Sequence, residues 1–219
     1  MARSKTSNAW LAEHFSDEFV KRARKEGYRG RAVYKLKEID VRDRLLRPGM
    51  TVVDLGAAPG AWSQYVRERL GHGGRVIALD ILPMEALSEV EVLEGDFTEE
   101  TTLKALMEVL GGRPVDLVIS DMAPNISGVD VSDQARVMYL AELALDFAGQ
   151  VLKPGGAFLV KIFQGRGFSE LYKVIQGNFT RVVSRKPKAS RARSAESYIL
   201  ATGFRGKAAG GDACLAGRE

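Results

Sequence analysis

Five short runs dense in Val, Ile and Leu punctuate the middle of this chain: TVVDLG, RVIALD, VEVLEGD, VDLVISD and GAFLVKIF. Apolar character that is nearly continuous, instead of alternating, marks strands covered on both faces, as in a parallel sheet between two layers of helices. The helical stretches AWSQYVRERL, TEETTLKALMEVL and QARVMYLAELALDFAGQVL separate most of the runs, as crossovers between parallel strands require. Two later runs, TRVVSRK and SYILATGF, are joined by a basic segment without a helix, which predicts an antiparallel pair. The expected architecture is therefore α/β: a doubly wound, seven-stranded, mostly parallel sheet with one antiparallel strand and helices on both faces. Ahead of it the sequence predicts a polar helix from about Ser16 and an amphipathic helix holding Val33, Leu36, Ile39 and Leu45. At 219 residues and 45% hydrophobic content the chain has material for one sizeable core. We read residues 1–206 as a single domain that opens with a basic helical segment over 1–47, and residues 207–219 as a disordered tail.

Open α/β sheets hold their ligands outside the carboxyl ends of the strands, and the polar residues of this chain collect at those ends. The first strand is expected to end at Asp54 and to lead into the turn of VDLGAAPGAWSQY, where Gly56 and Gly60 let the backbone approach a ligand just before a helix N-terminus. Three residues separate these glycines and Pro59 intervenes, so the turn is not the GxGxxG fingerprint of a pyrophosphate cradle. Asp80 ends the second run, Asp96 follows the third and Asp121 closes the fourth. One such aspartate is more often a turn former or helix cap. Four in register suit a ligand with hydroxyls, an amine and a positive centre, with ribose hydroxyls donating to Asp80 and an exocyclic amine to Asp96. Lys161 closes AFLVK at the same edge, and Glu196, opening the seventh strand, joins it if that strand turns back beside the others. A lysine and acids held together out of water form a candidate chemical site, because buried charge is costly unless it is paired. Taken on the residues alone, Trp62, on the first turn after the glycines, reads as core, with a wall of the ligand site as the alternative its position offers, and Tyr198 reads as core packing.

Charge is unevenly spread. Residues 1–47 carry 13 Lys/Arg against 7 Asp/Glu, residues 48–180 carry 10 against 18, and residues 181–219 carry 9 against 3. Basic flanks around an acidic middle suit a polyanion docked at the ends and a cation-bearing ligand in the centre. Within the flanks, Arg29, Arg31, Lys37, Arg191 and Arg193 are candidate phosphate contacts, the last two inside the acid-free run RKPKASRARS. The only cysteine, Cys214, permits no intrachain disulfide. His14 and His72 show no metal-ligand spacing, so no metal is expected. No apolar run is long enough for a signal peptide or a membrane span, and we expect a cytoplasmic protein that does not engage a membrane. No spare amphipathic helix advertises a partner subunit, which predicts a monomer.

The motifs VDLGAAPGAWSQY, ALDILPM, EGDF, SDMAPNISG, KIFQG and SAESYILA, with RAVYKLKEI before them, closely resemble the RrmJ/FtsJ family of S-adenosylmethionine-dependent ribose 2′-O-methyltransferases. Within that family they resemble the bacterial branch, which implies a uridine of 23S ribosomal RNA, within the large ribosomal subunit, as the substrate. The resemblance runs from about Trp10 to Phe204 and implies a Rossmann-like methyltransferase fold. It also implies a catalytic tetrad of Lys35, Asp121, Lys161 and Glu196, and cofactor contacts at Gly60, Trp62, Asp80, Asp96 and Asp121. Lys35 owes its rank to the resemblance alone, since a lysine on an amphipathic helix is ordinarily solvated. Two roles stay open for Lys161: a base that removes the hydroxyl proton, or an ammonium that steers the hydroxyl and stabilises developing alkoxide charge. Two other functions remain compatible with these motifs, namely 2′-O-methylation of another RNA such as transfer RNA or an mRNA cap, and a non-catalytic role in RNA binding and ribosome assembly.

Overall fold

The computed structural model describes residues 17–124, 130–190 and 194–206; Arg191, Arg193 and the predicted tail lie outside the described residues. Among the described residues two helices precede the sheet. In α1 (Glu18–Glu26) the Asp17 carboxylate accepts the Phe19 N–H at 2.9 Å and caps the start, and Gly27, at φ 77°, ends it. The next helix, α2 (Val33–Asp43), stops at Arg44, whose left-handed φ of 53° turns its N–H back onto the Asp40 carbonyl at 2.7 Å. Leu45, expected on this helix, consequently lies just beyond it, although it and Leu46 remain buried.

Eleven further elements follow. They are β1 (Thr51–Leu55), α3 (Ala61–Leu70), β2 (Arg75–Asp80), β3 (Glu91–Glu94), α4 (Glu100–Leu110), β4 (Val115–Ser120), α5 (Asp130–Val151), β5 (Leu152–Phe163), α6 (Phe168–Asn178), β6 (Phe179–Arg185) and β7 (Glu196–Phe204). The strands form one sheet in the order β3-β2-β1-β4-β5-β7-β6. Pairs along β3-β2-β1-β4-β5 are parallel, and β7 runs antiparallel to both β5 and β6. This is the doubly wound sheet with one reversed strand that the sequence predicts. The sequence reading has no helix between the fifth and sixth strands, whereas α6 stands there. Its buried Leu171 and Ile175, with Phe168 one turn earlier, carry a helical spacing too short to stand out beside the glycine-rich segment that precedes it.

Strand side chains alternate between two cores. Val53, Leu55, Val118, Phe158, Val160, Ile199 and Ala201 face the layer formed by α4, α5 and α6. Val52, Leu117, Ile119, Leu159, Tyr198 and Leu200 face the layer formed by α1, α2 and α3. By the same alternation Asp54, Lys161 and Glu196 project toward the α1–α3 side, where α2 carries Lys35.

Asp40 holds α2 in that position. Its side chain is 2% exposed and accepts the Leu46 N–H at 2.7 Å, the Tyr65 hydroxyl at 2.8 Å and the Arg69 guanidinium at 3.2 Å. The helix carrying Lys35 is thereby fastened to α3 and to the chain entering β1. Asp40→Ala strands a buried N–H and a buried hydroxyl, and it should lower the unfolding free energy by on the order of 3 kcal/mol. Urea denaturation checks this, with a shifted midpoint at unchanged slope as the expected result.

Candidate active site

Loops at the carboxyl ends of β1, β2, β3 and β4 meet around a cleft of about 570 Å³. Gly56, at φ +76°, begins the loop after β1, and its N–H and that of Ala57 bond to the Leu79 carbonyl at 2.9 and 3.1 Å. A Cβ at Gly56 would lie 2.7 Å from the Met122 amide nitrogen, so only glycine lets the β1 and β4 loops pack this closely at the cleft floor. A cis peptide joins Ala58 to Pro59. Gly60 then stands at the N-terminus of α3 with φ 103° and no side-chain cap, leaving first-turn N–H groups without helical acceptors.

The acids divide into two groups. Asp80 and Asp96 line the cleft. Asp80 accepts the Ala58 N–H at 2.8 Å on one oxygen and the Leu82 N–H at 2.8 Å on the other, so it shapes the walls it also lines. Asp96 takes the Thr98 N–H and hydroxyl on Oδ1 at 2.9 and 2.8 Å. Asp54 differs from the expectation of a cofactor contact in the cleft, because it is fully buried beneath α3, where Oδ2 accepts the Ser63 hydroxyl at 2.6 Å. Burial, with Asp121 and Asp80 adding repulsion against the Ser63 hydrogen bonds, pushes its carboxyl up to about 7. Trp62 likewise sits in the core and not on a cleft wall: it is 3% exposed, its Nε1–H bonds to the Ala32 carbonyl at 2.7 Å, and its ring lies 5.8 Å from that of Tyr198. Its backbone amide lies in the first turn of α3.

The four residues of the expected tetrad come together. Lys161, 8% exposed, places its ammonium 3.1 Å from Asp121 Oδ1 and also bonds the Asp121 main-chain carbonyl. The Lys35 ammonium reaches the two Glu196 oxygens at 2.8 and 3.0 Å, both side chains being 13% exposed. Tyr198 joins the pairs: its hydroxyl lies 2.7 Å from Asp121 Oδ1 and 3.3 Å from Glu196 Oε1. With one proton to give, it donates across the shorter contact. Strand register explains the meeting, since Lys161 lies opposite Tyr198 in the β5–β7 ladder and Glu196 is two residues along on the same face. Burial pushes the Asp121 carboxyl up, but Lys161, Lys35 and the Tyr198 hydrogen bond outweigh it and hold the group below its ordinary range. Burial and the two carboxylates hold the Tyr198 phenol well above its ordinary range, so it stays a donor. Tyr198 is thus core in its ring and site in its hydroxyl; its alternation with Glu196 was the sequence signal.

Three of the candidate phosphate contacts have partners within the fold. Arg29 bonds the carbonyls of Pro59, Glu85 and Ala86 at 3.2, 2.6 and 2.9 Å, clamping the loop after β2 onto the glycine turn. Arg31 bonds Asp17 and the Ala189 carbonyl. Lys37 pairs with Glu26 at 3.2 Å and lies over the Tyr28 ring at 4.2 Å. Among the described residues there is no cluster of three metal-ligating side chains, and no helix is long and apolar enough to cross a membrane.

A raised Asp54 carboxyl has a definite consequence for stability. The folded state binds a proton that the unfolded chain has released, so this group's contribution is fully present below the ordinary carboxylate range near 3.8 and disappears as pH rises through about 7. Asp54→Asn, which keeps an acceptor for Ser63, should therefore gain stability relative to the parent between pH 4 and 7. Denaturation midpoints of both proteins across that range test this, and parallel curves would refute it.

The sequence profile of the FtsJ-like methyltransferase family matches residues 28–204. Over 198 residues the chain is 64% identical to ribosomal RNA large subunit methyltransferase E of Alkalilimnicola ehrlichii, covering 90% of this chain and 95% of that protein. Its likeness to the enzyme of the same name from Pseudomonas aeruginosa is 59% over 207 residues, covering 94% and 100% of the two chains. A solved structure of a Plasmodium falciparum protein assigned as a ribosomal RNA methyltransferase shares 27% identity and a TM-score of 0.74, over 82% of this chain and all of that one. The match begins at Tyr28, before the helix that bears Lys35, and ends at Phe204, where β7 ends, so it takes in every element that builds the cleft: the chain belongs to the FtsJ-like methyltransferase family.

Proposed function

We propose that this protein is a cytoplasmic, monomeric enzyme that methylates the ribose 2′-hydroxyl of a uridine in 23S ribosomal RNA, within the large ribosomal subunit, using S-adenosylmethionine. The observation that carries this reading is the pairing of Lys161 with Asp121 and of Lys35 with Glu196, bridged by Tyr198, beside a glycine-floored cleft. Relatives named as large-subunit ribosomal RNA methyltransferases support the substrate.

The residues present fit the cofactor. Gly56 keeps the floor open where a Cβ would collide with Met122, Asp80 and Asp96 offer acceptors for hydroxyls and an amine, and the acidic rim suits a cationic ligand. When bound, S-adenosylmethionine supplies an electrophilic methyl carbon on a positively charged sulfur. Gly60 and the Trp62 amide at the α3 N-terminus, with Asp121 opposite, would hold its remaining polar groups.

Chemistry at the sugar falls to the tetrad. Two N–H groups of Lys161 are committed to Asp121, and the third is left to donate to the 2′-oxygen. An ammonium fixed this way would orient the hydroxyl and stabilise the alkoxide charge that develops on the 2′-oxygen during methyl transfer, while the hydroxyl proton passes to solvent. Lys35 and Glu196 complete a set with no net charge, so the site is costly to disturb but does not repel the RNA. For RNA docking we retain the basic run before β7, where Lys186 and Lys188 are described members beside Arg191 and Arg193, while Arg185 is held by Asp43 within the fold.

Lys161→Ala should bind cofactor and RNA as the parent does while losing methyl transfer by roughly 10²- to 10⁴-fold. Single-turnover assays on large subunits, naked ribosomal RNA and transfer RNA measure this, with alkali-resistant linkages reporting ribose methylation. Parental rates in the variant would refute the role given to Lys161.

A further inference from the structure

Beside the cleft, between α5 and the loop that follows β5, lies a second cavity of about 540 Å³ with a mainly apolar lining. Tyr139 belongs to the walls of both, and at 52% exposed it is one of the few large hydrophobic side chains turned to solvent. The opposite wall is the segment that β5 enters after Lys161. At most about 18 Å of chain separates Lys161 from Arg166, so the cavity lies within a short distance of the tetrad.

The loop is shaped to keep this space formed. Gln134 donates its amide hydrogens to the Phe163 and Arg166 carbonyls at 3.1 and 3.2 Å, tying the loop to α5. A Cβ at Gly165 would press on the Gln134 side chain at 3.0 Å. Gly167, at φ +84°, lets the backbone pass over Met138, which is buried at the cavity's base. Around the rim the charges are of two kinds. The Arg166 side chain is exposed at this rim, and Glu142 is an exposed acceptor one helical turn from Met138 and Tyr139.

We propose that this cavity is a nucleobase subsite, taking the base of a nucleotide next to the methylated one. The inference deepens the reading of the protein as an RNA 2′-O-methyltransferase and rests on it. An aromatic face at the lip accepts a splayed base by stacking, as single-stranded RNA recognition commonly uses. Arg166 meets the adjoining phosphate, and Glu142 accepts from a base edge that presents N–H donors. Cofactor-facing acids are absent from its lining, which separates it from the cleft.

The test uses the full-length protein and an RNA fragment carrying the target, either intact or with one abasic residue on either side of it. Ala135 is exposed, lines the cavity and does not line the cleft, so Ala135→Phe fills the subsite while leaving cofactor binding unchanged. For the intact RNA the variant should raise KM roughly tenfold at constant kcat, the scale of one lost stacking contact. On the parent protein one abasic position should raise KM by the same factor, and on the variant it should add nothing. Unchanged KM in the variant, or abasic effects that multiply with the substitution, would overturn the subsite. Methylation by the parent of another RNA, with the same position-dependent loss, would instead overturn the ribosomal substrate and keep the subsite.

Discussion

Everything at the catalytic edge depends on compensating two ammonium groups that the fold has taken out of water. Lys161 is almost wholly buried and Lys35 nearly so, and a buried lysine without a carboxylate partner would be too costly to keep. Asp121 and Glu196 supply the partners, and the Tyr198 phenol, held neutral, links them. Such a set does little for stability, since well-packed apolar side chains would serve the fold at least as well. Its presence makes sense under the proposed chemistry, in which fixed charges would need no reorganisation as charge develops on a sugar oxygen.

The scaffold brings these groups together by ordinary rules. Strand alternation sends Asp54, Lys161 and Glu196 to one face of the sheet, and the reversal of β7 returns Glu196 to the edge where β4 and β5 end. The helix with Lys35 reaches the same place because Asp40 binds it to α3 and to the turn before β1. Across the cleft, Arg29 joins the glycine turn to the loop after β2, so one N-terminal segment braces both the tetrad and the cleft wall.

The sheet was legible because its strands are short apolar runs between crossovers, and reversal of the last strand followed from the missing helix before it. The α2 terminus was not, because a left-handed arginine at Arg44 is set by backbone geometry that apolar spacing does not encode. Asp80, Asp96 and Asp121 reached the cleft from their positions at or just past strand ends. Asp54, one residue short of the end of β1, points under α3, where one position along a strand exchanges ligand for core. Arg29, Arg31 and Lys37 show the limit of charge counting: basic composition marks a surface, but only three-dimensional packing reveals that these cations already hold carbonyls, carboxylates and aromatic faces within the fold.

The central claim is that a sulfonium methyl group and a ribose oxygen meet beside these paired charges. The most direct measurement is to incubate the protein with methyl-labelled S-adenosylmethionine and large ribosomal subunits lacking the modification, then digest the RNA and identify the labelled nucleoside. The account predicts label in 2′-O-methyluridine at a single position. Label on a base nitrogen or carbon, or none above a control without enzyme, would contradict it.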